Sequence, residues 1–385
     1  RTGVGAGSAE KQRRYLWTDA FAVSNLIALH SGKGAKQSER DVGRDGGWLG
    51  AAEQLIHDVH HVLGRHRSDD ERQGWISGLS EEEGDAHPTA GGLRIGKPLP
   101  ERGENEDGDS MAEWDRDGQY FHYLTRWMHA LHQAALATGR PEYLRWAAEL
   151  VAAGRRLFVR DDPERGRTTM VWKISIDGER ALAPVMGAQD PLDGLVTAEL
   201  VRTATINGDA LGDELAERCR EAVGVYTSMC EGRTFATGDS LGIGGLLIDI
   251  VGLMELSSGR GVDDGGFIER LLGDAAHSLQ AFVATDELAR PIERRLAFRE
   301  LGLAIGMGAL EHAANVCSLD DRAQRQVSDV LRHETIVPNI IQAWRTRDAQ
   351  SSRAWREHED INAVMLASAL APKGAGLNAP AHPPA

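Results

Sequence analysis

The chain has 385 residues, is 41% hydrophobic and only 5% aromatic, and sets 43 lysines and arginines against 58 aspartates and glutamates, for a formal net charge of −15. That length suits one large closed domain or two ordinary ones, and the prominence of Leu, Ala and Gly favours helix-on-helix packing over β-sandwiches. The acid excess argues against nucleic acid or an anionic membrane as the main partner, because phosphate binding needs clustered cations, and it suits a soluble enzyme of a small neutral or cationic ligand.

Helical periodicity recurs along the whole sequence. The first helix is expected over 18–30, with Thr18 or Asp19 as its cap, and the second over 48–63. A polar segment, 64–110, follows and reads as a long loop or flap, with an acidic tip at 101–109. Helices are then expected over 115–138, closed by Gly139, and over 141–158, opened by Pro141. The β-branched run 168–176 predicts a strand or short hairpin. Further helices fall at 191–206, 210–229, 240–256, 266–284, 291–316, 321–345 and 352–370, with Pro338 kinking or breaking the one that contains it. Residues 1–15 form an extension and 371–385 a loose Pro/Ala/Gly-rich tail. No apolar run reaches membrane-span length, since the longest, 241–254, carries Asp249. No charged-then-apolar leader pattern opens the sequence. Cys219, Cys230 and Cys317 give no disulfide framework, and a reducing cytoplasm is the expected setting.

The helices are of two kinds. Those at even places in the order are amphipathic, as in Asp213-Glu-Leu-Ala-Glu-Arg-Cys-Arg. Those at odd places are apolar nearly all round and rich in small residues, as in Leu241-Gly-Ile-Gly-Gly and Leu301-Gly-Leu-Ala-Ile-Gly-Met-Gly. Glycine costs about 1 kcal/mol per helical position, so such runs make sense where backbones approach closely. Buried helices alternating with half-exposed ones predict an all-α, (α/α)-type toroid in one domain over 16–370, with an α-solenoid as the alternative. Together with Trp17-Thr-Asp-Ala-Phe-Ala-Val and the acidic-aromatic helix starts, the pattern resembles the six-hairpin glycosidase-like superfamily. The resemblance implies an (α/α)6 barrel and a carbohydrate ligand.

Acids gather at the starts of the odd helices. Asp115 and Asp117 precede one, Asp190 and Asp193 another, and Asp239 a third, while Glu357, Glu359 and Asp360 stand before or within the first turns of the last and Asp19 opens the first. Capping of helix N–H groups explains each acid singly. It does not explain their company: Trp114, Tyr120, His122, Gln189, Trp355, His358 and Asn362 stand beside them. Aromatic rings with amides and carboxylates are the surface a sugar needs, and paired carboxylates across a cleft can hydrolyse a glycosidic bond. Asp115, Asp117, Asp190, Asp193, Asp239 and Glu359 are therefore the catalytic candidates. His122, Arg126 and His129 share one helix face, readable as a site lining or as core. In the flap, Gly91-Gly-Leu-Arg-Ile-Gly-Lys resembles a phosphate loop but ends in Pro98. Its functional reading gives His87, Arg94 and Lys97 a substrate-binding role; its structural reading is a plug. His57 and His61 read as a solvated face. No metal or cofactor is expected, and the partner is a small-molecule or oligosaccharide substrate. The main expectation is a glycoside hydrolase. The alternatives are a sugar epimerase using His122 and His358, a terpene-cyclase-like toroid (which lacks its Asp-x-Asp-Asp run) and a non-catalytic helical scaffold.

Overall fold

The computed structural model describes residues 13–31, 47–103, 106, 113–162, 167–183, 185, 187–260, 266–317 and 319–371. Most of the expected acidic tip, the tail beyond 371 and the first twelve residues lie outside these. The fold class is the expected one, all-α and built from successive helical hairpins. The chain divides into two compact units, with the boundary between Glu231 and Gly232.

In the first unit the hairpins are α1 (Leu16–Ser31) with α2 (Gly47–Leu63), α4 (Phe121–Thr138) with α5 (Pro141–Phe158), and α6 (Asp190–Thr203) with α7 (Asp213–Cys230). The short α3 (Glu81–Ala86) sits within the long connection, held by a capping box between Ser80 and Glu83. Helix α4 lies against both α1 and α6, while α5 lies against α7. The apolar helices thus form one layer and the amphipathic ones another. Helix α6 shows why: buried side chains run round its whole circumference from Asp190 to Val201, whereas α7 buries only one stripe.

Among the described residues five short strands complete this unit. Strands β2 (Val159–Asp162) and β3 (Arg167–Met170) form a hairpin, and β1 (Gln119–Tyr120), β4 (Lys173–Ile174) and β5 (Ala181–Ala183) form a sheet in the order β1-β4-β5. The expected strand at 168–176 is therefore β3 and β4, with Val171 and Trp172 between them. The antiparallel register sets Tyr120 opposite Lys173 and Gln119 opposite Ile174. This pairing corrects the helix expected from residue 115: β1 and Gly118, at φ +142°, hold the chain extended until Phe121.

The second unit has α8 (Ser240–Arg260), α9 (Phe267–Val283), α10 (Ala297–Val316), α11 (Asp321–Leu331), α12 (Ile336–Arg345), α13 (Arg347–Ser351), α14 (Arg353–Arg356) and α15 (Glu359–Leu370). Helices α8, α10 and α15 pack side by side, and α9 packs on α8 and α11. Three expected helices prove shorter. The one from 291 begins at Ala297 after two 3-10 turns, Glu287–Ala289 and Ile292–Arg294. The one over 321–345 is α11 and α12, with Pro338 in the first turn of α12, where its missing N–H costs no bond. The one over 352–370 breaks at His358.

The glycine runs have the expected cause. A Cβ on Gly244 of α8 would stand 2.1 Å from the Gly302 carbonyl oxygen of α10, and one on Gly306 would stand 2.4 Å from the Gly244 oxygen. The two backbones touch directly. One expectation fails: among the described residues Ser240–Ser257 is long and apolar enough to cross a membrane by length and composition, Asp249 notwithstanding. That stretch is mostly buried and is the glycine-contact helix of the second unit's core.

Candidate functional site

In the first unit the amino ends of α1, α4 and α6 meet. Tyr15 and Tyr123 share a hydroxyl–hydroxyl hydrogen bond of 2.5 Å, and the Trp17 ring lies 5.9 Å from His122. One turn into α4, Thr125 donates to Asp193 at 2.6 Å and Arg126 pairs with the same carboxylate at 3.0 Å, which ties α4 to α6. Aromatic rings pave this junction. Tyr120 lies 5.0 Å from Trp172, His122 stacks on Trp172 at 5.7 Å, and Trp114 meets Trp172 edge-on at 5.4 Å. Three of the nine tryptophans and three of the five tyrosines stand here, so the cluster is far denser than the chain's average supplies.

Local structure fixes these rings. The sheet register places Trp172 beside Tyr120, and the Trp172 carbonyl accepts the Phe121 N–H at 3.4 Å. Lys173 is buried, and its ammonium donates to the Glu113 and Arg116 carbonyls and to the Glu113 carboxylate at 2.7–2.9 Å. It thereby secures the turn that presents Trp114, which is 53% exposed. Phe121, on the far side of α4, packs on Phe158 and Tyr226 and fixes the helix's rotation.

The electrostatics distinguish the polar groups. The Trp172 indole donates to Nδ1 of His122 at 3.2 Å. Burial pushes the His122 imidazole down to about 4, with Arg126 also lowering it and Asp193 opposing, so the ring is neutral at pH 7. With Nδ1 accepting, the proton resides on Nε2, and His122 acts as a donor. Burial likewise lowers His129 to about 3 and His132 to about 4. Asp190 is raised to about 7 by burial and by the Asp193 charge, against the opposing hydrogen bond from the Gly187 N–H. Asp193 instead meets Arg126 and Thr125. Two neighbouring carboxyl groups thus occupy different environments.

The other expected site residues lie elsewhere. Asp117 is fully buried, bonded by Arg94 at 2.6 Å and by the Gly96 N–H at 2.9 Å, so both Asp117 and Arg94 are spent on holding the loop. Asp115 is exposed, and its carbonyl accepts from Leu99. His87 pairs with Glu149 of α5 at 2.6 Å. The segment 91–96 is buried, with the Leu93 N–H bonded to Gln119, an arrangement that fits the structural reading of a plug. Gln189 precedes α6 without a side-chain capping bond. Asp19 is buried near Arg14, accepts the Tyr15 N–H and is raised to about 6 by burial, so it caps α1. His57 and His61 stack on the exposed face of α2, as expected of a solvated pair.

In the second unit a smaller junction forms. Asp239 accepts the Gly242 N–H as a cap and pairs with Arg299 at 2.5 Å, and Phe298 meets His358 edge-on. Trp355 is a core residue, 5% exposed against Trp344, and cannot serve as a stacking platform. Buried Asn362 donates to the Trp355 carbonyl and bridges the break before α15, while Glu359 and Asp360 are exposed in its first turn and Glu357 pairs with Arg353. Among the described residues no group of three or more His, Cys, Asp or Glu side chains is placed to hold a metal ion.

Sequence reasoning did not assign Tyr15, Tyr123 or Trp172 to the site. Tyr123 adjoins His122 in sequence and was a visible signal; Trp172 reaches the site only through strand pairing. Comparison with known proteins adds little. No family model matches the sequence, and no curated protein matches it. Among solved structures, cellobiose 2-epimerase from Spirochaeta thermophila DSM 6192 superposes at a TM-score of 0.46 with 12% identity, covering 94% of this chain and 86% of that one. A likeness that distant assigns neither family nor reaction.

Proposed function

We propose that the chain is one carbohydrate-active enzyme and that a sugar lies against the aromatic rings at the amino ends of α1, α4 and α6. The reaction supported best is proton exchange beside a sugar carbonyl, as in an epimerase or isomerase. The observation that carries it is the state of His122. A neutral imidazole whose Nε2–H has no acceptor among the described residues stands one turn from the Arg126 guanidinium on the same helix face. Two such donors suit the oxyanion that develops when a proton passes from the neighbouring carbon to a general base, for which Asp190, raised to about 7, is the candidate, and the same group returns the proton. Trp17, Trp114 and Trp172 would cover the apolar face of the ring. In this reading Asp193 is a positioning residue that holds Arg126, and His122 is not the proton-abstracting base.

Glycosidic hydrolysis is the second reading. Asp190 favours it, because a carboxyl group raised to about 7 retains a proton to give a leaving oxygen. Against it, Asp117 and Asp193 are committed to arginines.

The test is incubation of the protein in D2O with a panel of aldoses and disaccharides, followed by NMR. Deuterium entering the carbon next to the carbonyl, with loss of about 100-fold or more in kcat for His122→Gln, supports epimerisation. Release of a reducing sugar without exchange, abolished by Asp190→Asn, replaces it with hydrolysis. Absence of both reactions and of sugar binding defeats the proposal.

A further inference from the structure

A second feature of the first unit lies beside the aromatic junction. A cavity of about 470 Å³ opens between the residues before α1, the end of α2 and the plug segment. Its walls carry Arg13, Arg14, Arg67, Arg94 and Lys97, with Asp69 as the acid among them. In a chain of net charge −15 five cations around one hollow are out of keeping with the rest of the surface.

Three of the five are already neutralised. Arg14 stands 3.7 Å from Asp19, Arg67 bonds Asp69 at 2.7 Å, and Arg94 bonds Asp117 at 2.6 Å. Arg67 and Arg94 are further fixed by backbone carbonyls, Lys97 and Pro98 for the first and Val62 and Arg65 for the second. The remaining two are different. Among the described residues neither the Arg13 guanidinium nor the Lys97 ammonium has a hydrogen-bonded acid. Lys97 instead lies over the Tyr15 ring at 5.3 Å, half-buried, where the charges of Asp115 and Asp117 reach it. Burial holds its pKa below the ordinary lysine value, and Lys173 and Arg13 push in the same direction. A half-buried ammonium that has no hydrogen-bonded acid among the described residues, beside a second cation of the same kind, is an incomplete electrostatic arrangement. The paired arginines around it form a rigid, preorganised rim.

Tyr15 joins this hollow to the junction. One side of its ring faces Lys97 while its hydroxyl meets Tyr123. We propose that the cavity binds an oxyanion, a phosphoryl or carboxylate group, with Lys97 and Arg13 as its direct partners, and that this group belongs to a charged sugar whose ring lies on the adjoining aromatics. The second half rests on the carbohydrate reading above; the anion site itself does not.

The experiment is calorimetric titration of the full chain at low salt with inorganic phosphate, glucose 6-phosphate, glucuronate and glucose. Phosphate is expected to bind, and Lys97→Met and Arg13→Ala are each expected to weaken it about tenfold or more. Arg13 is exposed, so its variant folds normally whatever Lys97 contributes to packing. Added salt should weaken the same binding. Preference for glucose 6-phosphate or for glucuronate over glucose identifies the phosphoryl or the carboxylate source and upholds the inference. Phosphate binding lost in both variants with no sugar bound upholds the anion site and removes the carbohydrate reading. Glucose bound as well as its charged relatives, with phosphate ignored or held equally by both variants, overturns the inference and leaves the carbohydrate reading standing.

Discussion

At Asp117 four donors converge on one carboxylate: the Arg94 guanidinium at 2.6 Å, the Gly96 and Lys97 N–H groups at 2.9 and 3.3 Å, and Arg67 at 3.4 Å. Arg94 is itself only 6% exposed. Removing the acid would leave a buried guanidinium without its counter-charge, the costly way to break an ion pair. Asp117→Ala should therefore lower the unfolding free energy by about 3–5 kcal/mol, read from the denaturant midpoint. An unchanged midpoint would mean that Asp117 does not anchor the plug, and would reopen its candidacy as an acid catalyst. The same contrast separates His122 from the other expected site groups. It combines partial exposure with a fixed tautomer, whereas Asn362, Trp355 and Arg94 are turned inward to complete the protein's own bonds.

Helices α8 and α10 make backbone contact through Gly244, Gly302 and Gly306. In an ordinary helix, alanine in place of glycine is favourable by about 1 kcal/mol. At Gly244 the added carbon would overlap the Gly302 carbonyl, which is main chain and cannot turn aside. Gly244→Ala should consequently destabilise the protein by about 1–3 kcal/mol, the range for overpacking. Gly224, exposed on α7 with open space around it, provides the control: Gly224→Ala should stabilise by about 0.5–1 kcal/mol. Thermal midpoints moving the same way in both variants would contradict the close-contact argument. This contact was legible in the sequence, because glycine runs inside apolar helices have few other causes. So were the helical class, the hairpin order and the acids at the helix starts. The shortening of the helix at Phe121 was not, since strand pairing is settled by partners remote in sequence, and neither was that at Ala297, where short-range 3-10 bonds take the place of helical ones. The gathering of His122, Trp114 and Tyr120 at one junction was legible from their acidic-aromatic setting. Trp172 and Tyr15 were not, because each is delivered by packing: one by a sheet register, the other by a hydroxyl contact across 108 residues.

Over the whole molecule two sets of buried and half-buried groups oppose one another in their response to pH. Burial lowers His60, His122, His129 and His132 to between about 3 and 4, so folding keeps them neutral. Their contribution is complete above the ordinary histidine pKa and is lost as pH falls through those values. Asp19, Asp190 and Glu255 are raised, to about 6, 7 and 8, chiefly by burial. Their contribution is complete below the ordinary carboxylate range and is lost as pH rises through those values. Thermal stability should therefore peak at about pH 6 to 7 and decline on both sides. A midpoint that stays flat from pH 5 to about 8 would show that these groups are not buried in the way described. The tryptophan distribution has a further consequence. Three of nine indoles flank the aromatic junction, and one of them donates its N–H to an imidazole, so a ligand settling there changes their surroundings directly. The protein thus carries its own optical reporter, and intrinsic fluorescence can screen unlabelled compounds before any reaction is known.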